Sequence, residues 1–280
     1  MPISGRSLEP ERPIPTRTPA RSDPSRGRVG LLLGCVQRVF FADVQRAAIE
    51  VLAAEGYEVI APGLPDCCGA IERDAGEQRA ALARAQRTIQ AFSSLGGIDH
   101  IVTTSGGCGA ELKRYGERLG TPQARAFSAI VRDLNELLAE RPPRAPRGPV
   151  PIRVAYHDSC QLEHCQRIRE QPRALLGQIP ELDLLEPVGD SYICCGAAGL
   201  NPIRQPELAA ELGDRAAAAL LTTRPDAIAT ASYECAAHLG RHVHRNGGAS
   251  SGGPVEIPVQ HPVEFLWRSL QAAGQIATGR

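Results

Sequence analysis

From residue 28 onward, short apolar runs alternate with amphipathic stretches, and the two periodicities predict strands and helices in turn. Strands are expected near Val29 to Leu33, Glu58 to Pro62 and His100 to Thr104, with helices near Phe40 to Glu55 and Glu77 to Leu95 between them. That βαβαβ pattern calls for parallel strands joined by helical crossovers. A further helix is expected over Phe127 to Glu140. It should end at residues 141–149, whose four prolines break helix and suit an exposed connection. The second half repeats the plan, with strands at Arg153 to His157, Asp183 to Glu186 and Ala227 to Thr230, and helices at Glu207 to Leu221 and Glu234 to Arg245. The expected fold class is α/β: two tandem domains related by an approximate twofold, each a small, mainly parallel sheet flanked by helices. The first 27 residues hold six prolines and little that can pack, so the expected boundaries are a disordered tail over 1–27, a first domain over 28–140, a linker over 141–150 and a second domain over 151–274.

The cysteines follow the same duplication. Cys67, Cys68 and Cys108 correspond to Cys194, Cys195 and Cys235, each displaced by 127 positions, while Cys35 corresponds to Cys160 at a displacement of 125. Context agrees: Cys67-Cys68-Gly69-Ala70 matches Cys194-Cys195-Gly196-Ala197, Asp99 to Ser105 matches Asp226 to Ser232, and Glu136 and Leu138 answer to Glu264 and Leu266. A period this long indicates duplicated domains, not a solenoid. On the predicted elements, Cys35 follows the first strand, Cys67 and Cys68 the second and Cys108 the third. Four thiols therefore gather beyond the carboxyl ends of parallel strands, where open α/β sheets bind their ligands. Gly34, Gly69, Gly106, Gly107, Gly109 and Gly196 flank them and let backbone N–H groups approach the sulfurs.

Composition narrows the chemistry. The chain of 280 residues is 42% hydrophobic, enough to bury a core without disulfides, and its nine cysteines therefore need another reason. Each adjacent Cys-Cys pair resists bridging, since neighbouring Cα atoms lie about 3.8 Å apart and disulfides want roughly 4.4 Å or more. Soft four-thiolate sites select mainly zinc, copper(I) or iron–sulfur clusters. Lys+Arg and Asp+Glu are both 31, so no global field favours nucleic acid or an anionic membrane. No apolar run is long enough for a transmembrane segment, no signal-peptide pattern opens the chain, and a cytoplasmic location is the default expectation. No G-x-G-x-x-G follows a predicted strand, and neither a Walker loop nor a G-x-S-x-G elbow occurs, so nucleotide binding and serine hydrolysis have no foothold.

Taken together, Cys35, Cys67-Cys68-Gly69 and Cys108, repeated as Cys160, Cys194-Cys195-Gly196 and Cys235, resemble the duplicated cysteine-rich CCG domain. That domain is shared by one subunit of heterodisulfide reductase, lactate utilisation protein A and the iron–sulfur subunit of glycolate oxidase. Gly34 to Arg38, Cys67 to Ala70, Ala155 to Cys160, Gln171 to Leu176 and Gln205 to Ala209 are similar to segments of the glycolate oxidase subunit in particular. The resemblance covers about Arg28 to Gln271. It implies that the eight paired cysteines ligate iron–sulfur clusters of the [4Fe-4S] kind, one per domain, with zinc an alternative occupant of one site. It also implies electron transfer for a 2-hydroxy-acid (glycolate or lactate type) dehydrogenase, in partnership with a flavin-containing subunit and, as a further candidate, a separate ferredoxin-like protein. The chain would then be the non-catalytic component of an oxidoreductase, held peripherally at the inner membrane only through partners.

Two departures qualify the resemblance. The glycolate oxidase subunit carries an N-terminal ferredoxin-like domain, and nothing before Arg28 supplies its ligands; the Pro-rich tail looks like the remnant of a linker. In the heterodisulfide reductase version a C-x2-C follows the vicinal pair, whereas Ser105 and Ser232 hold the first of those positions here. Four cysteines suit an ordinary cluster better than a five-thiolate one, which disfavours direct thiol–disulfide reductase chemistry. That reductase and a zinc-stabilised interaction module remain the alternatives. Outside the repeated set, Cys165 is expected to be a structural thiol, His157 a satisfied structural histidine with a cluster-sulfur donor or proton relay as its sharper reading, and His238 and His242 exposed polar positions despite their metal-compatible spacing. Asp158 and Glu163 are acid or base candidates that nothing pairs with a substrate site.

Overall fold

A computed structural model describes residues 13–63, 67–187, 194–247 and 257–276. In the first half the chain runs β1 (Arg17–Thr18), β2 (Gly27–Leu31), α1 (Gln37–Phe40), α2 (Ala42–Ala54), β3 (Tyr57–Ile60), α3 (Ala70–Asp74), α4 (Gln78–Ser93), β4 (His100–Thr103), α5 (Gly106–Lys113), α6 (Tyr115–Leu119), α7 (Pro122–Ala129), β5 (Val131–Asp133) and α8 (Leu134–Ala139). The second half follows with β6 (Ile152–Tyr156), α9 (Cys160–Gln166), α10 (Glu170–Leu176), β7 (Leu182–Leu185), α11 (Asn201–Arg204), α12 (Pro206–Leu221), β8 (Ala227–Ala229), α13 (Tyr233–Gly247), β9 (Val259–Gln260) and α14 (Pro262–Ala272).

Each half builds one sheet. The first has the order β1-β3-β2-β4-β5 and the second β7-β6-β8-β9, and every pairing is parallel except β1 against β3. The first strand of each repeat thus lies between its second and third, so the winding direction reverses there. That reversal opens a crevice at the carboxyl edge. Val29, Leu31, Val59, Ile101 and Val102 in the first sheet, and Val154, Ala155, Ile228 and Ala229 in the second, are almost wholly buried, as strands covered by helices on both faces must be. The expected α/β class with two parallel-dominated sheets is what the chain adopts.

The halves share their main core. Val44, Leu52 and Leu137 cluster with Val154, Leu176, Phe265 and Leu266. Helix α2 lies against α14, and α10 against α8, which is the same pairing read in the opposite sense across the duplication.

Three expectations are corrected. The helix expected over Phe127 to Glu140 is interrupted by β5. The β-branched pair Ile130-Val131 enters the sheet beside β4, and Asp133 then restarts helix α8 through a capping box with Glu136. His261 and Glu264 form the same box at α14, which explains why Glu136 and Glu264 recur in the repeat. Second, of the disordered tail expected over 1–27, residues 1–12 lie outside the described residues and 13–27 belong to the fold: β1 covers the edge of β3, and Arg21 N–H donates to Ala53 O at 2.9 Å. Third, the proline-rich connection exposes its four prolines as expected but is anchored to the fold, not loose. Arg147 pairs with Glu55 at 2.7 Å, Arg26 with the same carboxylate at 3.4 Å, and Ala145 is buried. Prolines removed helix propensity there, but the interspersed arginines found a buried anion.

Candidate metal centres

Strand geometry brings the repeated cysteines together as four and four. Cys35 lies in the loop after β2, Cys67 and Cys68 precede α3, and Cys108 sits in the first turn of α5 after β4. The second set is Cys160 at the start of α9, Cys194 and Cys195 ahead of α11, and Cys235 in the first turn of α13. Helix N-termini carry unpaired N–H groups and a positive dipole end, which favour thiolate. The vicinal pairs turn sharply at Gly69 and Gly196, whose φ values are +82° and +84°. A Cβ at Gly196 would also stand 2.9 Å from Ala209 O, so both backbone conformation and space select glycine. That turn aims the N–H of Gly69 at Cys67 Sγ and the N–H of Gly196 at Cys194 Sγ, each at 3.4 Å.

Sulfur spacings are close. Cys68 Sγ is 3.3 Å from Cys108 Sγ, Cys195 Sγ 3.3 Å from Cys235 Sγ, and Cys160 Sγ 3.7 Å from Cys194 Sγ. All nine cysteines are free. Hydrogen bonds from Cys35 and Cys68 push the Cys67 thiol down to about 2, while Cys35 is pushed up by its bond to Cys67 and Cys68 by its bond to Cys108, burial adding to both. The second set repeats this: Cys160 and then Cys195 bring Cys194 down to about 2, and Cys160 and Cys195 rise in turn. Cys235 is lowered by Cys195, and less strongly by His157 and Ser159. Four crowded thiols cannot all ionise unless positive charge sits among them. This donor set fits a soft, thiolate-bound metal centre in each half. Cys67, Cys68, Cys108, Cys195 and Cys235 are buried, whereas Cys35, Cys160 and Cys194 are half-buried, so each centre keeps one edge near the surface.

Polar neighbours complete the sites, and of these Gln37, Thr104 and Tyr115 were absent from the sequence expectations. In the first, Gln37 donates through Nε2 to Thr104 Oγ1 at 2.9 Å and holds its Oε1 3.9 Å from Cys108 Sγ. Tyr115 OH donates to Cys68 O at 2.6 Å. In the second, His157 groups with Cys195 and Cys235, their ligating atoms all within 4.8 Å of one another. The remaining candidates are accounted for structurally. Asp158 is held bidentately by Arg173 at 2.9 and 2.7 Å, and Glu163 pairs with Arg169. His238 Nε2 is 2.9 Å from Ala209 O and His242 Nδ1 is 2.8 Å from Asp214 Oδ1. His242 is nonetheless buried, not exposed, and Cys165 is exposed on α9. Ser105 caps the turn that carries Cys108, its Oγ accepting from Cys108 N, and Ser232 Oγ donates to Glu234 beside Cys235.

The segments that carry the two centres abut. A Cβ added to Gly106 would lie 3.2 Å from Ser159 Oγ and 3.3 Å from Leu162 N, and one at Gly107 would lie 2.9 Å from Glu234 Oε1. Each named neighbour is within two residues of a paired cysteine. Gln166 Nε2 bonds Gly106 O at 2.8 Å across the same seam, and the rings of Phe41 and Tyr233, one from each half, meet at 6.0 Å.

The CCG cysteine-rich domain family matches twice, over residues 29–113 and 154–240. The chain is 33% identical over 253 residues to the glycolate oxidase iron-sulfur subunit of Escherichia coli, a match covering 87% of this chain and 58% of that protein. It is 33% identical over 220 residues to a subunit of the fumarate reductase (CoM/CoB) of Methanothermobacter marburgensis, covering 79% and 43%. It is 24% identical to lactate utilization protein A of an Exiguobacterium strain, covering 88% and 99%. The chain thus spans about half the length of the glycolate oxidase and fumarate reductase relatives. A hypothetical protein from Helicobacter pylori shares the fold at a TM-score of 0.64 and 11% identity, over 92% of this chain and 52% of that one.

Proposed function

The chain belongs to the CCG cysteine-rich domain family, and from that premise we propose that it is the iron–sulfur electron-transfer component of a 2-hydroxy-acid dehydrogenase of glycolate or lactate type. The observation that carries the reading is the pair of four-thiolate sites on abutting segments. Iron–sulfur clusters bound there, of the [4Fe-4S] kind, supply reversible one-electron storage. Oxidising a 2-hydroxy acid to a 2-oxo acid releases two electrons and two protons, a task for a flavin on a separate subunit. Two one-electron sites in one chain match that stoichiometry. Cys35, Cys67, Cys68 and Cys108 hold the first, Cys160, Cys194, Cys195 and Cys235 the second. Glycine-lined contact at Gly106 and Gly107 keeps them close, and the half-buried Cys35 and Cys160 edges give electrons a way in and out. Val39, Phe40, Ile71 and Ile203, all large and exposed, lie on α1, α3 and α11, the short helices that follow the ligand loops. An apolar rim around redox sites suits a protein partner such as the flavin subunit.

One observation favours a second reading for either site. A tetrahedral zinc with Zn–S bonds of about 2.3 Å has S···S edges of about 3.8 Å, near the observed 3.3–3.7 Å. The chain would then be a zinc-stabilised interaction module. Anaerobic mixing with a reduced flavin-bearing 2-hydroxy-acid dehydrogenase separates the two: bleaching of this chain's visible absorption as the flavin reoxidises supports electron transfer, and an unchanged spectrum with zinc bound supports the module. No helix among the described residues is long and apolar enough to cross a membrane; a peripheral location through partners is part of the same proposal.

A further inference from the structure

The two centres are built from the same cysteines but not the same surroundings. His157, directly after β6, is 1% exposed, and its Nε2 is buried without a partner among the described residues. Ser159, also 1% exposed, has an equally unpartnered Oγ. By the repeat, displaced by 125, the first-half counterparts are Leu32 and Gly34, which carry no side-chain donor. Burying a polar atom without a partner is costly, so two of them beside one thiolate set point to the sulfurs as the acceptors that satisfy them. The imidazole lies within 4.8 Å of both Cys195 Sγ and Cys235 Sγ. Four cysteines already complete a tetrahedral or cluster donor set, which leaves the imidazole as a hydrogen-bond donor to sulfur rather than a further ligand.

We infer that His157 donates its ring N–H to the Cys235 thiolate and thereby makes the second centre the stronger electron acceptor of the two. The inference rests on the iron–sulfur reading above. A hydrogen bond to a ligand sulfur draws off negative charge and favours the state with one more electron, raising the reduction potential. The apolar Leu32 gives the first centre no such donor. An electron arriving at the first centre then leaves it oxidised again and settles at the second, so the duplication has become directional. Cys160, half-buried at the second centre, marks where the electron would leave the chain.

The experiment is an anaerobic redox titration of the full chain, followed by electron paramagnetic resonance, with iron and sulfide measured on the same samples. Cys195→Ser identifies which signal belongs to the second centre. In the parent chain the second centre should titrate above the first. His157→Leu, which copies the first half, should shift the electron's distribution between the centres by at least tenfold toward the first, equivalent to about 59 mV for one electron, and leave the first signal in place. His157→Gln keeps an N–H donor and should restore most of the difference, which a purely space-filling role would not do. Equal potentials in parent and His157→Leu, with iron intact, overturn the inference. Loss of second-centre iron in both variants also overturns it, by making His157 a ligand. A parent chain without iron fails at the metal analysis and takes the underlying reading down with the inference.

Discussion

Glu55 offers a test of how the halves are held, because it closes α2 and fixes two otherwise remote segments. Its side chain is 3% exposed and pairs with Arg26 and Arg147, themselves 8% and 7% exposed. Its Oε2 also accepts from the backbone N–H of Arg144 at 2.8 Å. Arg147 Nε and Nη1 have no hydrogen-bond partner among the described residues, so this carboxylate is what compensates the buried guanidinium. Glu55→Gln keeps the shape and removes the charge, leaving two buried cations side by side. Breaking a buried pair from one side costs about 3–5 kcal/mol. Glu58→Gln provides the control: its partners Arg17 and Arg28 are 69% and 37% exposed, and such a pair is worth roughly 0–1 kcal/mol. Urea unfolding of anaerobic protein, followed by circular dichroism, should place the Glu55→Gln midpoint roughly 1 M or more below the parent at an unchanged m of about 3 kcal/mol/M, with Glu58→Gln close to the parent. The Glu55 effect should also resist salt, since a buried pair is poorly screened. A Glu55→Gln loss no larger than that of Glu58→Gln would refute this role for Glu55 and return residues 13–27 and 141–150 to the status of loose connections.

Other perturbations probe the seam between the centres, the ligands and the helix caps. Gly106→Val should destabilise by about 1–3 kcal/mol through overpacking against Ser159 and Leu162, while Gly63→Ala, with nothing within 4 Å of the added carbon, should stay within about 0.5 kcal/mol of the parent; equal midpoints for the two would dissolve the tight seam. Cys195→Ser should cut bound iron to about half and destabilise the second half of the chain, because three thiolates hold a cluster poorly; iron content equal to the parent's would contradict its role as a ligand. Burial pushes Asp133 up from 3.8 to about 6, so between those values the folded state binds more protons than the unfolded one and stability falls as pH rises. That fall amounts to at most about 3 kcal/mol from this group, and Asp133→Asn, which can still cap α8, should flatten it; parallel pH profiles for parent and variant over roughly pH 4–6 would reject the assignment.

Much of this architecture was legible from the chain because two independent periodicities agreed. Apolar runs located the central strands of both sheets to within about two residues, and the displacements of 127 and 125 assigned the eight cysteines to two equivalent places before any geometry was known. Edges and short elements were not legible. β5 is three residues long, and its Val131 and Asp133 read as a continuation of the helical pattern until the capping box is seen to restart α8. The proline-rich segments read as loose because propensity is local, whereas Glu55 holds Arg26 and Arg147 from 29 and 92 positions away. His157 was visible in sequence only as an unmatched histidine three residues ahead of Cys160. What raises it above a structural histidine is an unpartnered nitrogen beside two buried sulfurs, which depends on the packing of β6 against β8. The contact between the segments that carry the centres was likewise invisible, since Gly106 and Gly107 look like ordinary turn glycines until Ser159 and Glu234 arrive from the other half.

Whether both four-thiolate sites carry iron–sulfur clusters is decided by the iron, acid-labile sulfide and zinc content per chain of protein purified without oxygen. About eight irons with matching sulfide and little zinc are expected, as two four-iron clusters require. Near-stoichiometric zinc without sulfide would contradict that assignment and leave the chain a zinc-stabilised interaction module.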